Sequence, residues 1–196
     1  KKEIGVIWKN NYIVPKNLSL KKITKITEYS IDKKLVDFIE WFSSYNMVPL
    51  GLVLKMAIGG TDKFIRIKDN LIKTQKKEIK KFKLNNEQNK ALEYLEKINN
   101  KFDVSVLQGT TGSGKTLVYF QRIKKIIEKN EQALVLLPEI FLTNDFKSRF
   151  EDYFGFEPAI WHSKITPKQK RAIWQGVINN KVKILVGARS ALLLPF

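Results

Sequence analysis

Residues 109–116 constrain the fold of this chain more than any other segment of its 196 residues. Their sequence, GTTGSGKT, fits the pattern G-x-x-x-x-G-K-[ST], and it lies between an apolar run at 104–108 and a segment with helical periodicity. From average residue usage, the four fixed positions match by chance in about one chain in a hundred of this length. A strand before the pattern and a helix after it favour a phosphate-binding loop over an isolated glycine turn.

The residue types of this loop suit the phosphates of a nucleotide. Gly112 and Gly114 let the backbone turn so that its N–H groups and the positive end of the following helix hold phosphate oxygens. Lys115 adds a mobile charge for the β and γ phosphates, and the Thr116 hydroxyl is the expected Mg²⁺ ligand. We predict Lys115 and Thr116 as catalytic residues. The predicted triphosphate-binding residues are Gly109, Thr110, Thr111, Gly112, Ser113, Gly114, Lys115 and Thr116.

From residue 84 onward, apolar runs alternate with helical patterns, beginning with a helix at about 86–98. The predicted strands are nearly continuous apolar runs at 104–108, 133–138, 158–162 and 182–187. The helix after the phosphate loop presents one apolar face, formed by Tyr119, Phe120, Ile123, Ile126 and Ile127. A later helix ends at Gly155, and another begins with a capping box at Thr166 and Gln169. This alternation predicts an α/β fold whose parallel sheet is covered by helices on both faces.

The first 83 residues have a different pattern. Apolar runs around Asn10 and Asn11 predict a hairpin, and the alternation at 21–29 predicts an exposed strand. Helical spacing then predicts an amphipathic helix behind Ser30 as its N-cap, with a break at Pro49. We predict a small, partial β-rich and α-helical domain at 1–60, a Lys-rich linker at 61–83 and a second domain at 84–196. Contact of the Lys-rich stretch with DNA backbone is a less favoured alternative.

The composition of the chain limits which binding partners and which cellular compartment are expected for it. The chain has 36 Lys and Arg against 19 Asp and Glu, a formal charge of +17, which favours nucleic acid over an anionic membrane surface. A Lys-rich coding habit is the competing explanation. With no Cys and one His, the composition excludes disulfide and zinc scaffolds. The apolar runs are far shorter than the roughly 20 residues of a membrane span. No signal peptide and no initiator Met are visible, so we expect a cytoplasmic chain that lacks its start.

Hydrolysis of a nucleotide needs an acidic residue that the sequence does not clearly supply. After Thr116, only Glu139 follows a buried-strand pattern, and no Asp-Glu pair ends a strand. Glu139 is therefore a weak candidate for the acidic residue that holds the metal and the attacking water. We expect that the chain ends before its acidic motif.

Four segments resemble, in order, the first RecA-like lobe of superfamily 2 helicases, and specifically the primosomal protein N′ (PriA) family. GTTGSGKTLVYF is similar to GVTGSGKTEVY of that family, and LVLLPEIFLT to LVPEIxLT. IWHSKIT is similar to HSxLS, and VGARSALLLPF to VGTRSALFxPF. Residues 35–58 resemble the segment that closes the family's DNA 3′-end-binding domain. The resemblance implies a remnant of that domain at 1–60 and helicase lobe one at 84–196. Only 59–83 is available for the family's winged-helix domain, which is too short for one.

The resemblance also assigns roles to individual residues. It implies that the nucleotide is ATP, with Gln88 contacting adenine, although a Gln early in an exposed helix is as often only solvated. It implies that Glu139, Thr143, Arg189 and Ser190 contact the phosphates of single-stranded DNA; for Arg189 the alternative is an ordinary surface residue. Zinc is expected only in the family's downstream part. His162 is expected to pack or bond to backbone, and Trp8, Trp41 and Trp174 to be core or partly buried aromatics.

The function that the resemblance implies is an ATP-dependent 3′ to 5′ DNA helicase of the replication-restart primosome. Such an enzyme binds stalled forks in the bacterial cytoplasm at the nucleoid and reloads the replication machinery. Its expected partners are forked and single-stranded DNA and other primosome proteins, without a membrane. Another superfamily 2 translocase and a non-catalytic ATP- and DNA-binding piece are the alternatives. We expect this chain alone to be unable to hydrolyse ATP.

Overall fold

The structure is a computed structural model that describes residues 5–8, 16–17, 19, 22–26, 29–58, 82–97 and 102–196. Its helices are α1 (Lys33–Tyr45), α2 (Leu50–Ile58), α3 (Asn86–Lys97), α4 (Lys115–Glu128), α5 (Asn144–Phe154) and α6 (Pro167–Ile178). Its strands are β1 (Ala133–Leu136), β2 (Ala159–Trp161) and β3 (Ile184–Gly187). Two 3-10 helices, Glu139–Phe141 and Arg189–Leu193, follow β1 and β3. The predicted linker at 61–83 lies outside the described residues, except for 82 and 83.

The three strands form a parallel sheet in the order β1-β3-β2. The last residue of β3, Gly187, is in register with Leu136 at the end of β1 and with Trp161 at the end of β2. Parallel strands that end in register send their following loops to one edge of the sheet. The predicted parallel sheet is confirmed, and this edge collects three loops.

Helices cover both faces of the sheet, as predicted. On one face, Ile184 and Val186 of β3 pack against Phe120 of α4 and Phe150 of α5. On the other face, the intervening Leu185 packs in a cluster with Trp174 of α6. Successive strand residues point to opposite faces, so an apolar strand needs both layers.

Aromatic rings fill the first of these two cores. Phe120 is 1% exposed, and its ring centroid lies 5.1 Å from Phe154, 5.3 Å from Tyr153 and 5.7 Å from Phe150. Tilted and edge-to-face contacts of this kind add about 0.5–1.5 kcal/mol per pair beyond area burial. This core fixes α4, and with it the loop that precedes α4, against β1 and β3.

Capping side chains and a glycine determine where several helices begin and end. Thr166 and Gln169 form the predicted capping box at the start of α6, and α5 ends at Gly155 with φ 77°. For α1 the predicted N-cap was wrong. The cap is Asp32, whose carboxylate accepts from Lys34 N, and not Ser30. Only the residue directly before the first helical residue can reach these free N–H groups, and Ser30 stands two positions too early.

The strand predicted at 104–108 is not formed in this structure. Val104 and Val106 are 75% and 88% exposed, and residues 102–110 carry no strand hydrogen bonds. An apolar run becomes a strand only when a neighbouring backbone pairs with it, and no partner for this run occurs within the described ranges.

The strands predicted near the start are also wrong where that part is described. Residues 5–8 and 22–26 have no ladder, and the hairpin tip at Asn10 and Asn11 lies outside the described residues.

The described N-terminal part is instead a pair of helices that packs on the sheet domain. Ile39 of α1 and Val53 and Ala57 of α2 share one buried cluster with Leu193 from the 3-10 helix after β3.

Three tryptophans lie in different surroundings. Trp174 is 3% exposed, which confirms its predicted place in the core. Trp8 packs partly against the helix pair, whereas Trp41 is 53% exposed and stacks on Phe38 and Tyr45. Across the described ranges, no helix has the length and hydrophobicity of a membrane span.

Candidate nucleotide and DNA sites

The loop at 109–116 has the backbone shape that its glycines predict. Gly112 and Gly114 both have φ of +82°, in the left-handed region that residues with a Cβ rarely adopt. Gly114 is also the N-cap residue of α4, so the loop leads directly into the positive end of that helix. An anion at this position would meet backbone N–H groups and the helix end together.

Lys115 folds back onto the loop. Its Nζ donates to the carbonyl oxygens of Gly109 at 2.6 Å and Thr110 at 2.7 Å. These carbonyls hold the ammonium group at the mouth of the loop, where the hydrogen bonds can be exchanged for phosphate oxygens. The loop itself is closed by a hydrogen bond from Ser113 N to Thr110 O at 3.2 Å. A left-handed glycine turn, a helix N-terminus and a mobile cation are the features that a triphosphate requires, so these residues fit ATP.

Gln88 joins helix α3 to this loop. Its Nε2 donates to the carbonyl oxygen of Ser113 at 2.9 Å, and its Oε1 accepts from Asn85 N at 3.0 Å. Asn85 Oδ1 in turn accepts from Gln88 N at 2.9 Å, so the two residues form a reciprocal cap at the start of α3. A Cβ added at Gly114 would lie 2.3 Å from Gln88 Nε2, which shows how closely this amide covers the loop. This cap was not predicted, although Asn85 and Gln88 have the required spacing in the sequence.

A second pair of contacts holds α3 in place. Lys125 of α4 forms an ion pair with Glu96 of α3, and Leu92 of α3 is 7% exposed. The ion pair lies in the last turns of α3 and α4, away from the loop, so the amide of Gln88 is positioned by its own hydrogen bonds. The candidate nucleotide site therefore comprises the start of α3, the loop at 109–116 and the start of α4.

The candidate DNA-contacting residues lie on two of the loops that leave the carboxyl edge of the sheet. Glu139 belongs to the 3-10 helix after β1, and Thr143 is the N-cap of α5. Arg189 and Ser190 open the 3-10 helix after β3, and both are exposed. The register of the strands therefore brings these two loops to one edge, as parallel strands predict.

Two of these side chains are engaged within the protein. The Glu139 carboxylate accepts hydrogen bonds from Ser163 N at 3.2 Å and Ser163 Oγ at 3.3 Å, across the loop that follows β2. These bonds, the backbone one first, hold the pKa of Glu139 below its usual range. Thr143 Oγ1 accepts from Phe146 N at 3.3 Å, which caps α5. Ser163 was not predicted as a site residue, because nothing in a linear pattern pairs it with Glu139.

His162 makes the backbone hydrogen bond that was predicted as one of two alternatives. Its Nδ1 accepts from Lys164 N at 3.2 Å. Among the described residues, no group of three or more His, Cys, Asp or Glu side chains is arranged to hold a metal ion. His162 thus serves the turn after β2.

Comparison of the sequence with known proteins identifies the family of this chain. Residues 81–195 match a family model described as "Type III restriction enzyme, res subunit", and residues 1–59 match a model of the PriA 3′ DNA-binding domain (3′BD). The replication restart protein PriA of Rickettsia prowazekii is 37% identical over 201 residues, covering 98% of this chain and 29% of the relative. The chain belongs to the PriA family.

Other PriA proteins match a shorter part. PriA of Bacillus subtilis is 43% identical over 93 residues, covering 47% of this chain and 12% of the relative. PriA of Haemophilus influenzae is 41% identical over 95 residues, covering 48% of this chain and 13% of the relative. The chain spans about 29% of the length of the Rickettsia PriA proteins that match most of it.

The boundary between the two family matches falls between residues 59 and 81, outside the described residues. Helices α1 and α2 lie in the part that matches the PriA 3′ DNA-binding domain, and every element from α3 to the 3-10 helix at Arg189–Leu193 lies in the other match. The phosphate loop and the candidate DNA residues therefore belong to one module, while the helix pair packed against Leu193 belongs to the other.

Proposed function

We propose that this chain supplies the ATP-binding lobe of a DNA helicase that moves 3′ to 5′ and reloads the replication machinery at stalled forks. The observation that carries the proposal is the loop at 109–116, whose left-handed glycines and Lys115 suit a triphosphate. Membership of the PriA family supports DNA as the polymer on which the lobe acts. A different superfamily 2 translocase is disfavoured by the match over 98% of the chain.

In this proposal, Gly109 to Thr116 hold the phosphates of ATP, and the Thr116 hydroxyl holds its Mg²⁺. Lys115 leaves the carbonyl oxygens of Gly109 and Thr110 and binds the β and γ phosphates. Gln88 contributes through the loop, since its amide holds the Ser113 carbonyl, and its contact with adenine stays a prediction. The loop, the positive end of α4 and Lys115 together neutralise the negative charge of the ATP phosphates.

The proposed DNA path runs over the carboxyl edge of the sheet. Arg189 and Ser190 are exposed there and offer a cation and a hydroxyl to backbone phosphates, which suits binding without sequence preference. A carboxylate repels phosphate, so we assign Glu139 the task of fixing the loop of Ser163 beside the path. The charge of +17 adds long-range attraction to DNA.

Turnover of ATP is assigned to the whole helicase and not to this chain alone. The carboxylate that follows a buried strand, that of Glu139, accepts two hydrogen bonds from Ser163 and is committed to that loop. We therefore expect the chain to bind ATP with Mg²⁺ without hydrolysing it. The proposed partners of the complete helicase are forked DNA and other primosome proteins, in the cytoplasm of a bacterium.

The nucleotide site is tested by Mg²⁺-dependent binding of ATP to the chain, followed by a turnover assay with and without forked DNA. Lys115→Ala removes the cation, and loss of a charged hydrogen-bonding group costs about 1.5–3 kcal/mol, or about 10- to 150-fold in affinity. The matched control is Lys125→Ala, which removes a cation paired with Glu96 instead. Equal binding by the wild type and Lys115→Ala would overturn the proposed site. DNA-stimulated turnover would overturn the assignment of turnover to the whole helicase.

The DNA path is tested by the salt dependence of single-stranded DNA binding. Removing one phosphate contact lowers the magnitude of the slope of log K against log salt concentration by about 0.7 for a single strand. We expect this change for Arg189→Ala. Arg149→Ala is the control, because Arg149 lies on α5 and pairs with Asp145. Equal slopes for the two variants would contradict the assignment of Arg189.

A further inference from the structure

The 3-10 helix Arg189–Leu193 has two faces in different surroundings. Its start carries the exposed Arg189 and Ser190, whereas Ala191 and Leu193 are 0% and 2% exposed. Ala191 packs in the cluster beneath α6, and Leu193 packs in the cluster of α1 and α2 with Val53 and Ala57. The segment proposed to contact DNA is therefore seated directly on the helix pair of the other module.

Trp174 makes a second connection at the same place. Its ring lies in the cluster that contains Ala191, and its Nε1 donates to the carbonyl oxygen of Ala57 at 2.9 Å. Ala57 is the second-last residue of α2, so its carbonyl is one of the four that a helix leaves without an internal partner. Trp174 thus closes the C-terminal end of α2 with a buried hydrogen bond. Tyr29 packs edge-on against the same ring, with centroids 5.8 Å apart.

The 3-10 helix also packs closely against the ends of β3 and β2. A Cβ at Gly187 would lie 2.8 Å from the Ala191 Cβ and 2.9 Å from the Trp161 carbonyl oxygen. The 3-10 helix is thus packed against the end of β3 with no space for a further carbon atom between them. Withdrawal of α2 would break the buried hydrogen bond between Trp174 Nε1 and the Ala57 carbonyl and would expose Val53 and Ala57 to water, which is costly.

We propose that Trp174 and Leu193 are positioning residues that join α2 to the Arg189–Ser190 segment, so that the helix pair and the DNA-contacting loop open as one unit. This inference rests on the proposed contact between Arg189 and DNA. DNA held at the carboxyl edge of the sheet then stabilises α2, although α2 belongs to the module that matches the 3′ DNA-binding domain. A binding event at one module is in this way transmitted to the other through a contiguous buried contact.

Amide hydrogen exchange of the chain with and without a single-stranded oligonucleotide tests the inference. If the two segments open together, DNA at about 100 times its dissociation constant slows exchange in both by up to about 100-fold, because it binds only the closed unit. We expect slowing at 188–193 and at 50–58 in the wild type. Slowing at 188–193 with no change at 50–58 overturns the inference and leaves the DNA path intact. No slowing at 188–193 overturns the proposed path first, and the inference with it.

Two substitutions separate positioning from general support of the fold. Trp174→Phe keeps an aromatic ring and removes the N–H that binds Ala57, and Trp41→Phe makes the same change at an exposed position on α1. We expect DNA to slow exchange at 188–193 in both variants, but at 50–58 only in Trp41→Phe. If Trp174→Phe does not fold, Leu193→Val is used with the same expectation. Retention of the effect at 50–58 in the positioning variant that is measured contradicts the proposal.

Discussion

Gln88 Nε2 donates to the carbonyl oxygen of Ser113 at 2.9 Å, so the first turn of α3 is bonded directly to the phosphate loop. The same side chain completes the cap of α3, because its Oε1 accepts from Asn85 N. The two functions use different atoms of one amide. They can therefore be separated by substitution.

Gln88→Glu is expected to weaken ATP binding by up to about tenfold, since a neutral hydrogen bond contributes about 0.5–1.5 kcal/mol. The carboxylate keeps the acceptor that Asn85 N uses but cannot donate to the Ser113 carbonyl, and it brings a negative charge near the phosphates. Isothermal titration of ATP and of GTP gives the comparison. A loop-positioning role weakens both nucleotides alike, whereas contact with adenine weakens ATP selectively.

Asn85→Ala is the matched control for that substitution. It removes the oxygen that accepts from Gln88 N and leaves the Gln88 bond to Ser113 in place. We expect a loss of helix stability of about 1 kcal/mol with little change in ATP affinity. A larger effect on ATP from Asn85→Ala than from Gln88→Glu would show that the cap, and not the loop contact, governs the site.

Glu139 is expected to titrate below the usual range of a glutamate pKa, because Ser163 donates to its charged form through both its backbone N–H and its hydroxyl. A lowered folded-state pKa means that the charged form stabilises the fold above the pKa of the unfolded chain. That contribution is lost as the pH falls through the folded-state pKa. Carbon-13 NMR of the Glu139 carboxyl group measures this pKa directly.

Ser163→Ala tests the cause of the shift. It removes the Oγ donor and keeps the backbone N–H, so the pKa of Glu139 should rise only part of the way to its ordinary value. An unchanged pKa would assign the whole effect to the backbone bond. A complete return would show that the hydroxyl also positions the loop.

Gly187→Ala is expected to lower the free energy of unfolding by about 1–3 kcal/mol, the usual cost of overpacking. The new Cβ would lie 2.8 Å from the Ala191 Cβ and 3.0 Å from the Trp161 Cβ, where neither group can retreat easily. Urea denaturation of both proteins measures the difference. Gly51→Ala is the control, because no atom lies within 4 Å of its added Cβ and the position is helical, so stability should rise slightly.

The elements that the sequence predicted correctly are those with a local physical signal. Thr166 and Gln169 specify the start of α6 by their own hydrogen bonds, and Gly155 ends α5 because it adopts a positive φ at little cost. The strands β1, β2 and β3 were predicted because each is a short apolar run, and β3 is fully buried between the two helical layers. Residues 104–108 are apolar at three of five positions and were predicted in the same way, but strand formation depends on a partner backbone that a single segment does not reveal.

In the candidate sites, too, features with a local sequence pattern were predicted, whereas contacts between distant residues were not. The candidate phosphate loop is a prediction from eight consecutive residues, and Gly112 and Gly114 within it have the expected left-handed backbone. The contacts of Glu139 with Ser163 and of Trp174 with Ala57 join positions 24 and 117 residues apart. Such pairs arise from the order of strands and helices, so no spacing rule within one segment predicts them.

Thr143 is expected to have two separable roles, one in the fold and one toward DNA. Its Oγ1 accepts from Phe146 N and caps α5, so Thr143→Ala should cost about 1 kcal/mol of stability. Thr143→Asn keeps a strong N-cap and removes the hydroxyl, and should retain that stability. Urea denaturation and single-stranded DNA binding are measured on these two variants and on Thr143→Ser, which keeps the hydroxyl. If the hydroxyl contacts phosphate, Thr143→Asn loses DNA affinity while Thr143→Ser keeps it. Full affinity in Thr143→Asn would restrict Thr143 to its role as a cap.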